Sequence, residues 1–159
     1  MFNVILGLGS NMGDRKSNLE LAKIAINDTI GKIQVDSNIY ETEAWGVENQ
    51  ENYYNQILEI KTDYFPFQIL EKTLALERQL GRVRTQKWEA RLIDIDILFF
   101  ENFIFSSENL IIPHRYIQDR NFILEPLKEI NPNFIHPKFR KTILALSEAC
   151  ADKNWIKKL

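Results

Sequence analysis

The sequence predicts an α+β fold: an antiparallel sheet with helices packed on it and a C-terminal helical extension. Three features carry that expectation. Short apolar or alternating runs recur at four places, apolar residues at helical spacing separate two pairs of them, and glycine or proline stands at the joints. A chain of 159 residues that is 45% hydrophobic has material for one packed core, so residues 1–159 read as a single domain.

Phe2–Leu8 is a short apolar run ending among Gly7, Gly9 and Gly13, which reads as a buried strand entering a turn. A helix follows, with Asp14 or Ser17 as cap, Leu19, Ala22, Ile26 and Ile30 on its apolar stripe, and Gly31 ending it. Ile33, Val35, Ser37 and Ile39 then alternate with polar residues as a second strand. Glu41–Asn52 has no period and reads as a long loop, after which Tyr54–Thr62 alternates again with Gln56, Leu58 and Ile60 on one face. Pro66 suits the first turn of a second helix, whose Ile69, Leu70, Thr73, Leu74, Leu76, Glu77 and Leu80 run to Gly81. Arg82–Ala90 is a basic loop that leads into the strand Arg91–Phe100. Strand, helix, strand, strand, helix, strand is the split βαβ order of a ferredoxin-like βαββαβ core with its helices on one face. Glu101-Asn102 turns the chain into Phe103–Phe105, and helices over Gln118–Ile130, around Pro126, and over Lys141–Ala149 form the extension.

Twenty Lys and Arg against 22 Asp and Glu leave a net charge of −2, which argues against broad contact with nucleic acid or an anionic membrane. The single cysteine, Cys150, excludes an internal disulfide framework and a cysteine-built metal site. No apolar run reaches the ~18 residues of a membrane span, and Met1–Ser10 lacks the basic start and long apolar core of a signal peptide. The expectation is a cytoplasmic monomer.

Within RLIDIDILFF, Ile93, Ile95, Ile97 and Phe99 should face one way, and Leu92, Asp94, Asp96, Leu98 and Phe100 the other. Two carboxylates on one face, with Cα atoms ~6.5–7 Å apart, repel by roughly 2–3 kcal/mol at an effective dielectric near ~20. Something positive must stand opposite. One candidate is an arginine, Arg82, Arg84 or Arg91, in a structural ion network. The other is Mg²⁺, which takes oxygen ligands from one or two carboxylates and completes its shell with water and phosphate. Arg82, Arg84, Lys87 and Arg91 crowd beside the acids as a polyphosphate site would require, although a basic loop can also be merely solvated.

Gly7-Leu8-Gly9-Ser10-Asn11-Met12-Gly13 approaches a dinucleotide fingerprint with its third glycine one residue late, and no Gly-Lys-Ser/Thr follows it. Trp45, Tyr53, Tyr54 and Asn55 place flat rings beside an amide. That set suits a planar heterocycle stacked on its faces and read at its edge, and equally a small aromatic core. His114 and His136 each neighbour a proline and form no ligand set with other His or Cys.

Four blocks together resemble the 6-hydroxymethyl-7,8-dihydropterin pyrophosphokinases of folate synthesis. They are LGLGSNMGDR at Leu6–Arg15, SNIYETEAWGVENQENYYN at Ser37–Asn55, GRVRTQKWEARLIDIDIL at Gly81–Leu98 and PHRYIQDRNFILEPLKEINP at Pro113–Pro132. The resemblance implies a ferredoxin-like fold and transfer of pyrophosphate from ATP to the pterin's hydroxymethyl group, with release of AMP. It implies Asp94 and Asp96 as ligands of two Mg²⁺ ions, and Arg82 and Arg91 as catalytic partners on the phosphates. Arg84, Lys87, His114 and Arg120 are further phosphate candidates, and the adenine slot draws on Leu70, Leu74, Glu77, Ile97, Leu110 and Ile111. For the pterin it implies stacking by Tyr53 and Phe122, edge contacts by Thr42 and Asn55, and backbone contacts near Ala44 and Trp45. Three departures from the family pattern stand out: Trp88-Glu89-Ala90-Arg91 stands where Trp-Gly-Pro-Arg is usual, Ala44 replaces a proline, and Leu74 and Arg115 replace polar or aromatic partners seen in some members. Neither rival reading finds its mark in the chain. A palm-like nucleotidyl transferase needs a second acidic strand position, and an RNA-binding module of similar fold needs an aromatic-basic strand signature.

Overall fold

The computed structural model describes residues 1–44, 50–81 and 91–159. Strand β1, Phe2–Ser10, lies at the centre of an antiparallel sheet, with β4, Tyr53–Thr62, on one side and β5, Asp94–Phe100, on the other. Beyond β4 lie two short strands, β2 (Lys32–Asp36) and β3 (Tyr40–Thr42), which pair with different halves of β4. The order β5-β1-β4-β2 interleaves two split βαβ units, joined by α1 (Arg15–Thr29) and α2 (Pro66–Gln79).

Local chemistry accounts for the helix ends. The Asp14 carboxylate accepts the Ser17 N–H at 3.0 Å, satisfying a donor that the first turn of α1 leaves open. Pro66 occupies the first turn of α2, where its missing N–H costs nothing, and the Gln68 side chain accepts from the Phe65 N–H at 2.9 Å.

Both faces of the sheet are covered. Val4, Leu6 and Leu8 of β1 bury against Leu19, Ala22 and Ile26 of α1 and Ile69 and Leu76 of α2. On the other face Ile5, Ile57, Leu98 and Phe99 bury against Ile123, Leu124 and Leu127 of α3 (Asn121–Ile130) and Ile143 and Leu146 of α4 (Ile143–Ala149). The expected C-terminal extension is therefore a second apolar layer, and it forms one wall of the cleft described below.

Several boundaries differ from expectation. β1 continues through Gly9 and Ser10 beyond its expected end at Leu8, and of Gly7, Gly9 and Gly13 only the last takes a positive φ, 65°. The strand expected over Ile33–Ile39 ends at Asp36 as β2, with a register shift between Ile33 and Val35, and β3 takes Glu41 and Thr42 from the expected loop. The helix expected from Gln118 begins as a single 3-10 turn, Ile117–Asp119, and becomes α-helical at Asn121. Phe103–Phe105 yields only β6, Phe105–Ser106, paired with β7, Ile111–Ile112. A last strand, β8 (Ile156–Lys158), pairs with β3 and had no sequence signal.

The alternation expected along β5 fails at its end. β1 pairs Leu6 with Ile97 but Ile5 with Phe99, so Leu98 is an extra residue. Leu98 and Phe99 consequently both enter the α3/α4 layer, and Phe100 turns back to the α1/α2 layer, opposite to expectation for the last two. The carbonyl of Leu98 accepts the His114 N–H at 2.9 Å, so the bulge brings His114 to the sheet.

Candidate active site

Register builds the site. β1 sets Gly9 opposite Asp94 and Gly7 opposite Asp96, while β4 sets Asn55 opposite Gly9 and Ile57 opposite Gly7. Where side chains would otherwise stand between the acids and β4, two glycines leave a floor. A methyl at Gly9 would lie 3.4 Å from Asn55 Oδ1, 3.8 Å from the Tyr53 ring and 4.0 Å from Asp94 Cβ. Glycines two apart inside a strand are a signal of close approach that the turn reading passed over.

Above this floor lies a cavity of about 190 Å³. β5 contributes Asp94 and Asp96, and Arg91 stands just before it. β4 contributes Tyr53 and Asn55, β3 contributes Thr42, and the α3 side contributes Arg120 and Phe122. Glu43, Gln50, Ile57, Leu98 and Ile123 also line it and were not among the sequence candidates. Asp94, Asp96 and Arg91 therefore share one cleft with Tyr53 and Asn55 of the aromatic-amide set, whereas Tyr54 lies outside it with Arg15 over its ring at 4.0 Å.

The two carboxylates differ. Arg91 Nη1 lies 2.9 and 3.1 Å from the two oxygens of Asp94, so the arginine alternative is realised at that acid. Burial works against the Arg91 charge, but Asp94, helped by Tyr53 and Asp96, outweighs it and holds the guanidinium pKa above its ordinary value. Asp96 is exposed to the cleft and makes no salt bridge among the described residues. No group of three or more His, Cys, Asp and Glu gathers among the described residues, so these residues by themselves form no closed metal cage there. Two carboxylates facing an open cleft fit Mg²⁺, which retains water and takes substrate phosphate oxygens.

Arg91 itself is pinned by Asn11, a buried residue absent from the sequence candidates. Its Oδ1 accepts the Arg91 N–H at 2.7 Å, its own N–H reaches the Arg91 carbonyl at 3.1 Å, and its Nδ2 donates to Gln50 at 3.1 Å. On β4, Asn55 Nδ2 donates to Thr42 Oγ1 at 2.8 Å, which leaves the Thr42 proton available as a donor. His114 is held mainly neutral: burial lowers its pKa, Arg120 and Arg115 lower it further, and Asp96 opposes them. Its Nδ1 accepts from the Tyr116 N–H at 3.3 Å, so the neutral ring carries its proton on Nε2. Arg120 lies over the rings of Tyr116 and Phe122, at 5.0 and 5.6 Å.

The adenine candidates lie elsewhere, around α2 and the outer edge of β5. Ile97 and Leu110 are core residues and Leu70 packs against that core, while Ile111 is half-buried on β7. Leu74 is half-buried on α2, and the buried Glu77 accepts the Ile95 N–H at 2.8 Å. None of these six lines the cleft of the acids. Ala44 is half-buried just past β3; Trp45, Arg82, Arg84, Lys87 and the Trp88-Glu89-Ala90 segment lie outside the described residues.

The model of the 7,8-dihydro-6-hydroxymethylpterin-pyrophosphokinase (HPPK) family matches residues 5–132. The chain belongs to this family. A 2-amino-4-hydroxy-6-hydroxymethyldihydropteridine pyrophosphokinase of Aquifex aeolicus is 41% identical over 143 residues, 90% of this chain and 89% of that one. One from Bacillus subtilis is 41% identical over 129 residues, 79% of this chain and 75% of that one. Among solved structures, Plasmodium falciparum HPPK-DHPS wild type with SDX-DHP superposes with a TM-score of 0.76 at 20% identity, over 94% of this chain and 43% of the larger one. That likeness concerns the fold. The HPPK family thus joins the cleft geometry to a named chemistry.

Proposed function

We propose that this chain transfers a pyrophosphoryl group from ATP to the hydroxymethyl group of 6-hydroxymethyl-7,8-dihydropterin and releases AMP, a step of folate synthesis. The observation that carries the reading is the meeting of Asp94, Asp96 and Arg91 with Thr42, Tyr53, Asn55 and Phe122 in one cleft of a chain from the HPPK family. In this reaction the substrate oxygen bonds to the β-phosphorus as the bond from that phosphorus to the α,β-bridging oxygen breaks. The electron pair leaves with AMP. Such a transfer needs chiefly positioning and charge neutralisation.

The pterin ring lies between Tyr53 and Phe122. Asn55 Oδ1 accepts from the ring's N–H edge, the Thr42 hydroxyl donates to a ring acceptor, and backbone near Ala44 and Trp45 adds contacts. Asp94 and Asp96 would hold two Mg²⁺ ions, which when bound neutralise phosphate charge. Arg91 and Arg82 steady the triphosphate, with Arg84, Lys87, Arg120 and the Nε2–H of neutral His114 beside them. Asp96, exposed to the cleft, orients the attacking hydroxyl and accepts the proton that its oxygen gives up as it bonds to phosphorus. Leu70, Leu74 and Ile111 border the adenine, with Ile97, Leu110 and Glu77 behind them. Residues 1–159 act as one domain, and the reaction takes place in the cytoplasm. Among the described residues no helix is long and apolar enough to cross a membrane.

Chromatography of the nucleotide products tests the assignment. AMP should form from ATP only when the hydroxymethyl-dihydropterin is present. Formation of ADP, or no AMP with both substrates and Mg²⁺ supplied, contradicts it.

A further inference from the structure

One wall of the cleft is the start of α3. Arg120 stands just before the helix, Asn121 opens it and Phe122 follows, so two cleft residues flank a single backbone N–H. The first turn of a helix leaves its N–H groups without intrahelical acceptors, and the preceding side chain ordinarily supplies one. Arg120 cannot, because a guanidinium only donates, and no side-chain cap comes from that position. The acceptor is Asp152, 31 residues along the chain, whose Oδ2 takes the Asn121 N–H at 3.0 Å. Its Oδ1 takes the Asn154 N–H at 3.0 Å, and the Asn154 carbonyl takes a hydrogen bond from Asn121 Nδ2 at 2.8 Å. One oxygen of the carboxylate holds the helix, and the other shapes the segment that holds its first side chain.

That segment is fixed on both sides. Before it, Cys150 is buried in the α3/α4 layer, and after it β8 pairs with β3, the strand that carries Thr42. The cleft residues on the sheet have a different support: Tyr53 and Asn55 sit in β4, whose register is set by β1 and β3 together. Phe122 has no such ladder. It is half-buried in the first turn of α3, where helices fray, and a slip of one residue at a helix start rotates a side chain by ~100°. Arg120 lies over the Phe122 ring at 5.6 Å, so the two would move together.

We infer that Asp152 is a positioning residue for the pterin: by capping α3 from outside the helix, it holds Phe122, with Arg120 beside it, at the spacing a planar ring needs against Tyr53. The inference rests on the pterin reading of the cleft. Asp152 itself does not line the cleft and lies outside the matched residues 5–132, so it acts through the helix start.

Calorimetric titration of the whole chain with 6-hydroxymethyl-7,8-dihydropterin, in Mg²⁺ and α,β-methylene-ATP, reads the slot without turnover, because a carbon replaces the oxygen at which the bond breaks. Asp152→Ala should raise the pterin Kd about tenfold, and Asp152→Asn, which keeps an oxygen acceptor, should restore most of the loss. In a Phe122→Ala background the same Asp152→Ala change should add less than about twofold, since the ring to be held is gone. Thr142→Ala is the control for folding alone. Thr142 Oγ1 accepts the Ala145 N–H at 3.1 Å at the start of α4, so a comparable cap is lost from a helix that lends the cleft no residue. Its pterin Kd should stay at the wild-type value. If Asp152→Ala does not fold, Asn121→Ala cuts the same clamp from the helix side and should raise the Kd about threefold. An unchanged Kd in the variant that folds, an equal loss in the Phe122→Ala background, or an equal loss in Thr142→Ala overturns the inference alone. A wild type that binds no pterin overturns the reading of the cleft and this inference with it.

Discussion

Asp94 and Asp96 share a strand face, yet the structure sets them apart. Asp94 is half-buried and held by Arg91, itself pinned by Asn11, whereas Asp96 stands exposed in the cleft. Removing either carboxylate should stop chemistry, because each contributes charge where phosphate charge develops. The second consequences differ. Asp94→Ala also leaves Arg91 without its carboxylate in a partly buried place, so it should lower stability by about 1–2 kcal/mol. Asp96→Ala takes away no ion pair seen among the described residues and should leave stability within about 0.5 kcal/mol of the parent. Steady-state turnover should fall by about 10²–10³-fold or more in both, and urea unfolding should separate them. Wild-type turnover in Asp96→Ala would remove that residue from the site.

At the scale of the elements, most of the architecture was legible. Period-two and helical spacing located β1, α1, β4, α2 and β5, and the same alternation put both acids on one face. What escaped depended on pairing. The bulge at Leu98 exists because β1 skips a residue, which nothing within LFF announces. β8 is three residues long and becomes a strand only because β3 offers an open edge. The site followed the same division: residue types marked Asp94, Asp96, Tyr53 and Asn55, but Gly7, Gly9 and Asn11 matter through register and backbone contacts.

One such hidden element junction is Glu129 on α3. Its carboxylate accepts the Tyr40 hydroxyl at 2.5 Å, the Asn38 N–H at 2.9 Å and Asn38 Nδ2 at 2.7 Å, and it pairs with Lys158 at 3.1 Å. Burial pushes its pKa up, but Tyr40, Asn38 and Lys158 prevail and bring it down to about 2. One side chain thereby ties α3, β3 and β8 together. Glu129→Ala should cost about 2 kcal/mol in urea unfolding and raise the KM for the pterin more than it lowers kcat, because β3 carries Thr42. Unchanged stability would mean that the junction does not hold these elements.

Across the whole molecule, α1 and α2 stabilise one face of the sheet and α3 and α4 the other, and the second layer has an acid-sensitive point. His136 is buried beside Phe99 and Phe139, with Nδ1 accepting the Lys138 and Phe139 N–H groups at 3.2 and 3.3 Å. Burial, with the Lys138 charge behind it, lowers its pKa to about 4. The unfolded chain, with an ordinary value near ~6.5, binds that proton first. The stability held by the neutral ring is therefore full above that unfolded value and is lost as pH falls through about 4. Urea unfolding across this range should show a loss on the order of 2 kcal/mol that His136→Gln lacks. An identical pH dependence in the variant would assign the loss to other groups.

In the proposed reaction the cleft over Gly7 and Gly9 moves two phosphorus atoms together from ATP to a pterin alcohol. ATP labelled only at the β-phosphorus with ³²P decides it when supplied with the hydroxymethyl-dihydropterin and Mg²⁺. The label should leave the nucleotide and appear in the pterin product in step with AMP. Label retained in ADP while the pterin gains a single unlabelled phosphoryl group would contradict it.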